Sequence, residues 1–219
     1  MADGPPRLSR SVRILLEAAI AVALFLLLLF IFALRPFSIP SISMIPTLQV
    51  RDTILVDEVA YRLHPPRLGD LAVFMPPLSS NGTPFIKRVV GIPGDTIRIA
   101  NGVLYRDGRT VPEPYVNEAP IYDLAVTHDT IEVDGVALDP ASADIPPRSM
   151  WRVPDRIPAG FYLMLGDNRN YSDDSHQWGF AQLRGPFAAG PLARRHVQAE
   201  FIGRAVMVVW PPDRIRVLH

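Results

Sequence analysis

The sequence contains no cysteine, which excludes disulfide bridges, thiolate metal sites and cysteine nucleophiles. It also lacks an excess of either charge, because 22 Lys and Arg residues balance 22 Asp and Glu residues. A chain without net charge has no general attraction for nucleic acid, so we expect no nucleic-acid partner. We predict neither a metal site nor a cofactor, since the histidines follow no metal-ligand spacing and are interpreted as surface or structural residues. They are His64, His128, His176, His196 and His219.

Lysine is almost absent as well. Lys87 is the only one, and every other basic residue is arginine. Arginine does not lose its proton in proteins, so a side-chain amine base could only be Lys87. It lies in the apolar run 85–90, where burial would lower its pKa. Strand periodicity leaves the alternative open that Lys87 faces solvent, alternating with Ile86 and Arg88.

One long apolar run is present near the N-terminus. Residues 18–34 carry no charge, and 17 helical residues extend about 26 Å. Together with the apolar residues just before them they match the roughly 30 Å of a hydrocarbon core, which predicts a transmembrane helix at 14–34. Arginines cluster before it, so we expect a cytoplasmic segment at 1–13 and an extracytoplasmic domain at 35–219. The Arg35-Pro36-Phe37 sequence does not favour the alternative, a cleaved signal peptide.

Beyond residue 48 the sequence consists of short runs rich in β-branched and aromatic residues, separated by turn residues. These runs predict a mostly β fold, an antiparallel domain without long helices. Residues 107–160 are poorer in apolar runs and are interpreted as a variable β insertion or subdomain. The predicted core strands are 53–56, 70–74, 85–90, 161–165 and 201–210. The predicted turns of two residues are Asn101-Gly102, Asp107-Gly108 and Asp134-Gly135.

Two serines follow the apolar run, in the stretch 40–48 with the sequence Pro-Ser-Ile-Ser-Met-Ile-Pro-Thr-Leu. Prolines bracket Ser41 and Ser43, which predicts a stiff, irregular segment that presents the hydroxyls. Even a fully extended chain keeps Ser43 within about 30 Å of Leu34. The segment is therefore either a mount for a nucleophile close to a membrane surface or an ordinary linker.

A second polar cluster occupies residues 166–180 and is dense in Asp, Asn, Ser and Gly. Such residues hydrogen-bond their own backbone, so the cluster predicts an ordered loop after a strand. A calcium loop is the weaker alternative, because the twelve-residue spacing with a closing glutamate is missing.

Four segments, at 41–48, 67–74, 85–95 and 166–180, resemble in order and spacing the successive sequence boxes of bacterial type I signal peptidases, also called leader peptidases. The predicted membrane helix before them agrees with that family. Residues 107–160 match little, as expected for its variable part.

The resemblance implies a serine protease with a Ser/Lys dyad. Ser43 matches the nucleophile and Lys87 the general base. The Ser41 hydroxyl, with the backbone N–H of Ser43, matches the oxyanion hole. Ser172 matches a serine that hydrogen-bonds and orients the lysine ammonium.

Further positions are implied as supporting residues. Asp167 and Asp174 match structural carboxylates, and Arg88 is the expected partner of Asp167. Two residues depart from the family pattern: Asn170 replaces the usual Asp, and His176 replaces the usual Arg. We expect His176 to pair with Asp174 less firmly than arginine would, and in a pH-dependent way.

Family substrates carry small residues at the −1 and −3 positions before the cut, and shallow apolar pockets would select them. Core packing is the alternative interpretation for each matching residue. These residues are Phe37, Ile39, Ile42, Met44, Leu48, Ile54, Val73, Phe85 and Ile86.

The predicted function is a membrane-bound endopeptidase that removes signal peptides from exported preproteins, with preprotein signal peptides and membrane lipid as partners. One alternative is a dedicated processing protease for a single substrate, such as a transfer-system pilin. Another is a non-catalytic, membrane-anchored β-domain that serves as a scaffold. The presence of both Ser43 and Lys87 argues against the scaffold, and the oligomeric state does not follow from the sequence.

Overall fold

The computed structural model of the protein describes residues 9–76, 83–127, 130–138, 155–182 and 200–218. Parts of two predicted regions lie outside these residues, namely 1–8 of the N-terminal segment and 139–154 of the variable insertion. His128, His196 and His219 lie outside them too.

Strands dominate the described residues, and helices are few. The helices are α1 (Arg10–Ala33), α2 (Ala60–Leu63) and α3 (Ser175–Trp178). The strands are β1 (Leu34–Ser38), β2 (Thr53–Asp57), β3 (Leu71–Met75), β4 (Phe85–Gly91), β5 (Ile97–Ala100), β6 (Val103–Arg106), β7 (Arg109–Thr110), β8 (Leu124–Thr127), β9 (Thr130–Val133), β10 (Val136–Leu138), β11 (Phe161–Leu165), β12 (Ala181–Gln182), β13 (Glu200–Trp210) and β14 (Arg216–Val217).

The strands form two antiparallel sheets. The first has the order β1-β2-β13-β3-β4-β11-β12, with β14 paired to β13. The second has the order β10-β9-β8-β5-β6-β7. A buried apolar cluster that includes Ile99, Leu124 and Ile131 from the second sheet also contains Leu163 and Leu165 of β11. The two sheets are therefore packed together at β11, the strand that precedes the polar loop.

The mostly antiparallel β architecture is confirmed, and each predicted core strand is present within one residue or two of its expected bounds. The predicted turns close hairpins as expected. Asn101 and Gly102 have φ values of 50° and 76°, and the Asp134-Gly135 turn is similar at 50° and 78°. Positive φ at both central residues matches the twist of the flanking strands, which explains the Asn-Gly and Asp-Gly sequences. The predicted insertion supplies β7 to β10, which complete the sheet begun by β5 and β6.

Strand β1 was not among the predicted strands. β1 pairs with β2 from Leu34↔Asp57 to Ser38↔Thr53, although it contains Pro36. Proline is tolerated there because β1 is an edge strand and has a partner on one side only. The irregular stretch between the apolar run and the serines is accordingly shorter than the sequence suggested.

Helix α1 covers most of the segment that was predicted to span a membrane and begins four residues before it, at Arg10. Within the described part of the chain, no helix has both the length and the apolar character needed to cross a membrane. The structure therefore gives no support to the transmembrane part of the fold prediction.

Candidate active site

The serine segment is a compact turn that rests on apolar anchors. The backbone N–H of Leu48 donates to the Met44 carbonyl at 2.8 Å, and that of Ile45 donates to the Ile42 carbonyl at 3.1 Å. Met44 and Leu48 are fully buried in the cluster that also contains Ile54 and Val73. This packing holds Ser43 against one face of the first sheet, where the residue is only 5% exposed.

Lys87 lies on β4, which pairs with β3 on one side and β11 on the other. From Ile86 to Gly91 every residue of this strand is buried. Lys87 itself is 3% exposed, so the alternative of a lysine on a solvent face is wrong. Strand periodicity did not place Lys87 in solvent, because packing covers both faces of β4.

Lys87 and Ser43 are in direct contact. Lys87 Nζ donates a hydrogen bond to Ser43 Oγ, and the two atoms are 2.8 Å apart. Among the described residues no carboxylate forms an ion pair with this ammonium group. Burial lowers the pKa of Lys87 from 10.5 to about 8, and the more distant carboxylates of Asp174, Asp173 and Asp167 oppose the shift. A substantial fraction of the amine is therefore neutral near pH 8.

Ser41 lies beside this pair. Its Oγ atom is 3.2 Å from Ser43 Oγ, and the residue is exposed. The hydroxyl is thus next to the atom that a nucleophilic serine would use, on the side open to solvent.

Ser172 does not make its predicted contact. Its hydroxyl is buried and has no hydrogen-bond partner among the described residues, Lys87 included. The hydroxyl nevertheless lies in the site. A Cβ atom added to Gly166 would be 2.2 Å from Ser172 Oγ and 2.5 Å from the carbonyl oxygen of Ser43. Only glycine allows the loop to approach the serine segment this closely.

Arg88, the next residue on β4, does contact its expected partner. Its Nε and Nη2 atoms donate to the two carboxylate oxygens of Asp167 at 2.8 and 2.7 Å. Its Nη1 atom donates to the Gly69 carbonyl at 3.0 Å. The Thr47 hydroxyl donates to the same Asp167 carboxylate, so this buried ion pair is tied to the serine segment. Thr47 had no predicted role.

Asp174 is buried and caps α3. One of its oxygens accepts from the Gly166 backbone N–H at 2.8 Å. The other accepts from the backbone N–H of His176 at 3.1 Å and lies 2.7 Å from its Nδ1 atom. His176 therefore does contact Asp174, at an ordinary hydrogen-bond distance.

Several contacts around the site join residues that the sequence did not connect. The Asn168 backbone N–H donates to the Ser43 carbonyl at 3.0 Å. Arg169 is fully buried and forms an ion pair with Glu113, 56 residues away. Asn170 binds the backbone of the same distant region. No local pattern in the sequence indicates these pairs, because they depend on how the second sheet packs on β11.

The predicted pocket residues are mostly interior. Ile42 is the exception, at 47% exposed. Phe37 and Phe85 are partly buried and pack against the apolar clusters. The others are part of the apolar core in this structure, and these are Ile39, Met44, Leu48, Ile54, Val73 and Ile86.

The comparisons with known proteins all find signal peptidases. The family model described as "Signal peptidase, peptidase S26" matches residues 11–210. A probable signal peptidase I-1 of Synechocystis sp. is 39% identical over 167 residues, covering 74% of this chain and 70% of the relative. A signal peptidase I of Leptolyngbya laminosa is 33% identical, covering 81% and 69%. A signal peptidase I of Pseudomonas aeruginosa is 37% identical, covering 84% and 68%.

Proposed function

The chain belongs to the signal peptidase family, peptidase S26, and is therefore a peptidase; from this membership and the geometry at Ser43 we infer that it cleaves signal peptides from exported preproteins with a Ser/Lys dyad. The observation that carries the inference is the 2.8 Å hydrogen bond between Lys87 Nζ and Ser43 Oγ in a site that excludes water from the amine. A serine needs a base, and Lys87 is the base within reach.

Catalysis begins with Lys87 neutral. Its amine takes the proton of Ser43 as Oγ attacks the scissile carbonyl carbon, and a tetrahedral oxyanion forms. The lysine then gives that proton to the leaving amine, the C–N bond breaks, and the signal peptide remains as an ester on Ser43. Water attacks the ester carbonyl while Lys87 accepts its proton. Collapse of this second intermediate returns the proton to Ser43 Oγ and releases the carboxylate.

Ser41 is proposed as an oxyanion donor. Its hydroxyl is 3.2 Å from Ser43 Oγ, so it lies close to the oxygen of any carbonyl that Ser43 attacks. Together with the Ser43 backbone N–H it would stabilise the developing negative charge. One such donor lowers the activation barrier by roughly 3–4 kcal/mol.

Preference for small residues at −1 and −3 is part of the proposal. Exposed Ile42 flanks the nucleophile, and buried Ile86 precedes the base on β4. Apolar side chains beside the serine segment would favour small apolar residues at these two substrate positions. Fully buried residues such as Met44 and Leu48 would support these side chains from the core.

The test is cleavage of a preprotein with an Ala-x-Ala site by the purified, detergent-solubilised chain. We expect the wild type to cut directly after the second Ala and Ser43→Ala to be inactive. Ser38→Ala changes an exposed serine at the end of β1 and should retain wild-type activity. Cleavage by Ser43→Ala would move the nucleophile elsewhere.

If the wild type ignores general preproteins but cuts one pilin-like substrate, the dedicated processing protease becomes the better account. If it cuts neither, the scaffold does.

A membrane anchor is also proposed, on the strength of the sequence. Residues 18–34 are uncharged, and α1 exposes large apolar side chains such as Leu24 and Leu28. Flotation of the full chain with lipid vesicles tests this part separately. We expect Leu24→Arg/Leu28→Arg to lose vesicle binding, while Leu63→Arg, at an exposed leucine of α2, keeps it. Equal flotation of all three proteins would remove the anchor from the proposal.

A further inference from the structure

Two connections contact each other beside the candidate active site. Residues 113–122, here called the brace, belong to the connection from β7 to β8 of the second sheet. Residues 166–176, here called the site loop, follow β11 of the first sheet and contain Asp167 and Asp174. The brace belongs to the region that the sequence left without a role.

The strongest contact between them is a buried ion pair. Arg169 is fully buried, and its Nη1 atom donates to Glu113 Oε2 at 2.9 Å while Nη2 donates to Oε1. The Glu113 side chain is 10% exposed and also accepts from the Tyr115 hydroxyl at 2.9 Å. Arg169 Nε donates to the Gly166 carbonyl at 3.1 Å. Two desolvated charges in bidentate geometry lock the brace to the start of the site loop.

A second contact reaches β4. The Tyr115 ring lies under the Arg88 guanidinium, 3.9 Å from its centroid. Since Arg88 holds Asp167 in the bidentate pair, the brace contacts this ion pair through its arginine.

The far end of the brace is held as well. Asn170 uses both functions of its amide, accepting from the Ile121 backbone N–H at 3.0 Å and donating to the Ala119 carbonyl at 3.1 Å. The Tyr122 and His176 rings stack with their centroids 4.5 Å apart and an interplanar angle of 8°. Asn170 and His176 are the two positions at which this chain departs from the family pattern.

The site loop in turn holds the nucleophile. The Asn168 backbone N–H donates to the Ser43 carbonyl at 3.0 Å, and its side chain donates to the Ile42 carbonyl at 3.1 Å. The hydroxyl of Thr47, four residues after Ser43, donates to the Asp167 carboxylate. A displacement of the site loop would therefore move the backbone of Ser43.

We propose that the brace positions the site loop against Ser43 and Lys87, and that Glu113 is the positioning residue on which this depends. The proposal rests on the proposed function only where it concerns turnover. Its geometric part concerns the packing that covers Lys87 and has its own test. Glu113 touches neither reacting atom, so it acts through Arg169.

The single lysine makes a direct test possible. Labelling with lysine enriched in ¹³C at Cε gives one side-chain resonance, that of Lys87, whose pH titration reports its pKa without any need for cleavage. The charges of Asp167, Asp173 and Asp174 in the site loop act to raise the pKa of the amine, but burial, which lowers it, is the dominant influence. If Glu113→Gln loosens the site loop, water reaches Lys87 and the titration moves to higher pH, by about half a unit or more.

Turnover is measured on the same proteins. We expect Glu113→Gln to lower kcat by about tenfold or more with little change in KM, as a small misplacement of the nucleophile does. Glu118→Gln is the matched control, because Glu118 is an exposed glutamate of the brace without a partner among the described residues. It should match the wild type in both measurements.

A milder variant covers the case in which Glu113→Gln does not fold. Asn170→Asp keeps the acceptor for Ile121 but places a carboxylate against the Ala119 carbonyl, so it should show the same changes to a smaller degree. A folded Glu113→Gln or Asn170→Asp with the titration and kcat of Glu118→Gln overturns the brace proposal. A shifted titration in a chain that never cleaves preproteins supports the brace and refutes the proposed function instead.

Discussion

Lys87 and Arg88 are neighbours on β4, both cationic and both buried, yet their surroundings differ completely. Arg88 donates to both oxygens of Asp167 and to the Gly69 carbonyl, and it stacks on Tyr115. The hydrogen-bond partner of Lys87 is an uncharged hydroxyl, that of Ser43. Successive residues of a strand face opposite sides of the sheet, so one backbone presents the two side chains to two environments.

The difference shows how one strand holds a cation with a buried ion pair beside a cation with no ion pair among the described residues, and the proposed mechanism makes the second cation the base. A buried charge with a complete set of partners keeps its proton and fixes the geometry around it. A buried amine without a counter-ion is destabilised in its charged form and becomes available as a base. Apolar packing buries Lys87, and the ion pair between Arg88 and Asp167 connects β4 to the loop that follows β11.

The largest expected effect comes from removing the unpaired cation. Lys87→Met keeps an unbranched side chain, one heavy atom shorter, but has no basic group. We expect cleavage to fall by roughly a thousandfold or more, since general-base catalysis alone contributes about 10²–10⁴. Initial rates on an Ala-x-Ala preprotein measure this. Substantial turnover by Lys87→Met would mean that another group takes the Ser43 proton.

Removing the paired cation should act on stability instead. Arg88→Met leaves the Asp167 carboxylate buried without its counter-ion, and we expect the free energy of unfolding to fall by about 3–5 kcal/mol. Urea denaturation followed by circular dichroism measures the loss. Arg98→Met, at an exposed arginine of β5, is the control and should stay within about 0.5 kcal/mol of the wild type. An equally small loss for Arg88→Met would show that the ion pair does not hold the site.

The pH dependence separates the two cations further. Since the pKa of Lys87 is about 8, its proton must leave before it can act, so kcat/KM should rise about tenfold per pH unit below pH 8 and level off above it. A flat profile from pH 6 to pH 9 would contradict a lysine base.

The same pKa has a consequence for stability. In the unfolded chain the amine returns to its ordinary pKa of 10.5, so between pH 8 and 10.5 the unfolded state binds more protons and the folded state gains stability as the pH rises. Below pH 8 the charged amine costs the folded protein up to about 3 kcal/mol. Lys87→Met should therefore be more stable than the wild type at pH 7, and the difference should shrink towards pH 10.5.

Much of the fold followed from local sequence. Asn101-Gly102 and Asp134-Gly135 specify their turns through positive φ, which acts over two residues and needs no tertiary context. The edge strand β1 was missed because Pro36 argues against a strand unless the strand lies at an edge, and the sequence does not say which strands do.

The candidate site also has features that the sequence predicted and features that it did not. The proximity of Ser43 to Lys87 was anticipated through the family resemblance, not through any local rule. Even then the burial of Lys87 remained open, because a single strand does not reveal that both of its faces are covered. Glu113 and Arg169 had no signal at all, since they are 56 residues apart and meet only when the two sheets pack.

Ser172 gives the smallest expected effect and the sharpest control. Its buried hydroxyl has no partner in the part of the chain that the structure describes, whereas the Ser175 hydroxyl, equally buried, accepts from the Met164 backbone N–H at 2.9 Å. Ser172→Ala should raise the free energy of unfolding by about 1 kcal/mol, and Ser175→Ala should lower it by about 1–3 kcal/mol. We also expect Ser172→Ala to slow turnover a few-fold, because the hydroxyl is next to the Ser43 backbone and is free to bond the Lys87 ammonium formed during the reaction. A loss of stability in Ser172→Ala would show that the hydroxyl is already bonded in the resting protein. An unchanged rate would reduce Ser172 to a packing residue.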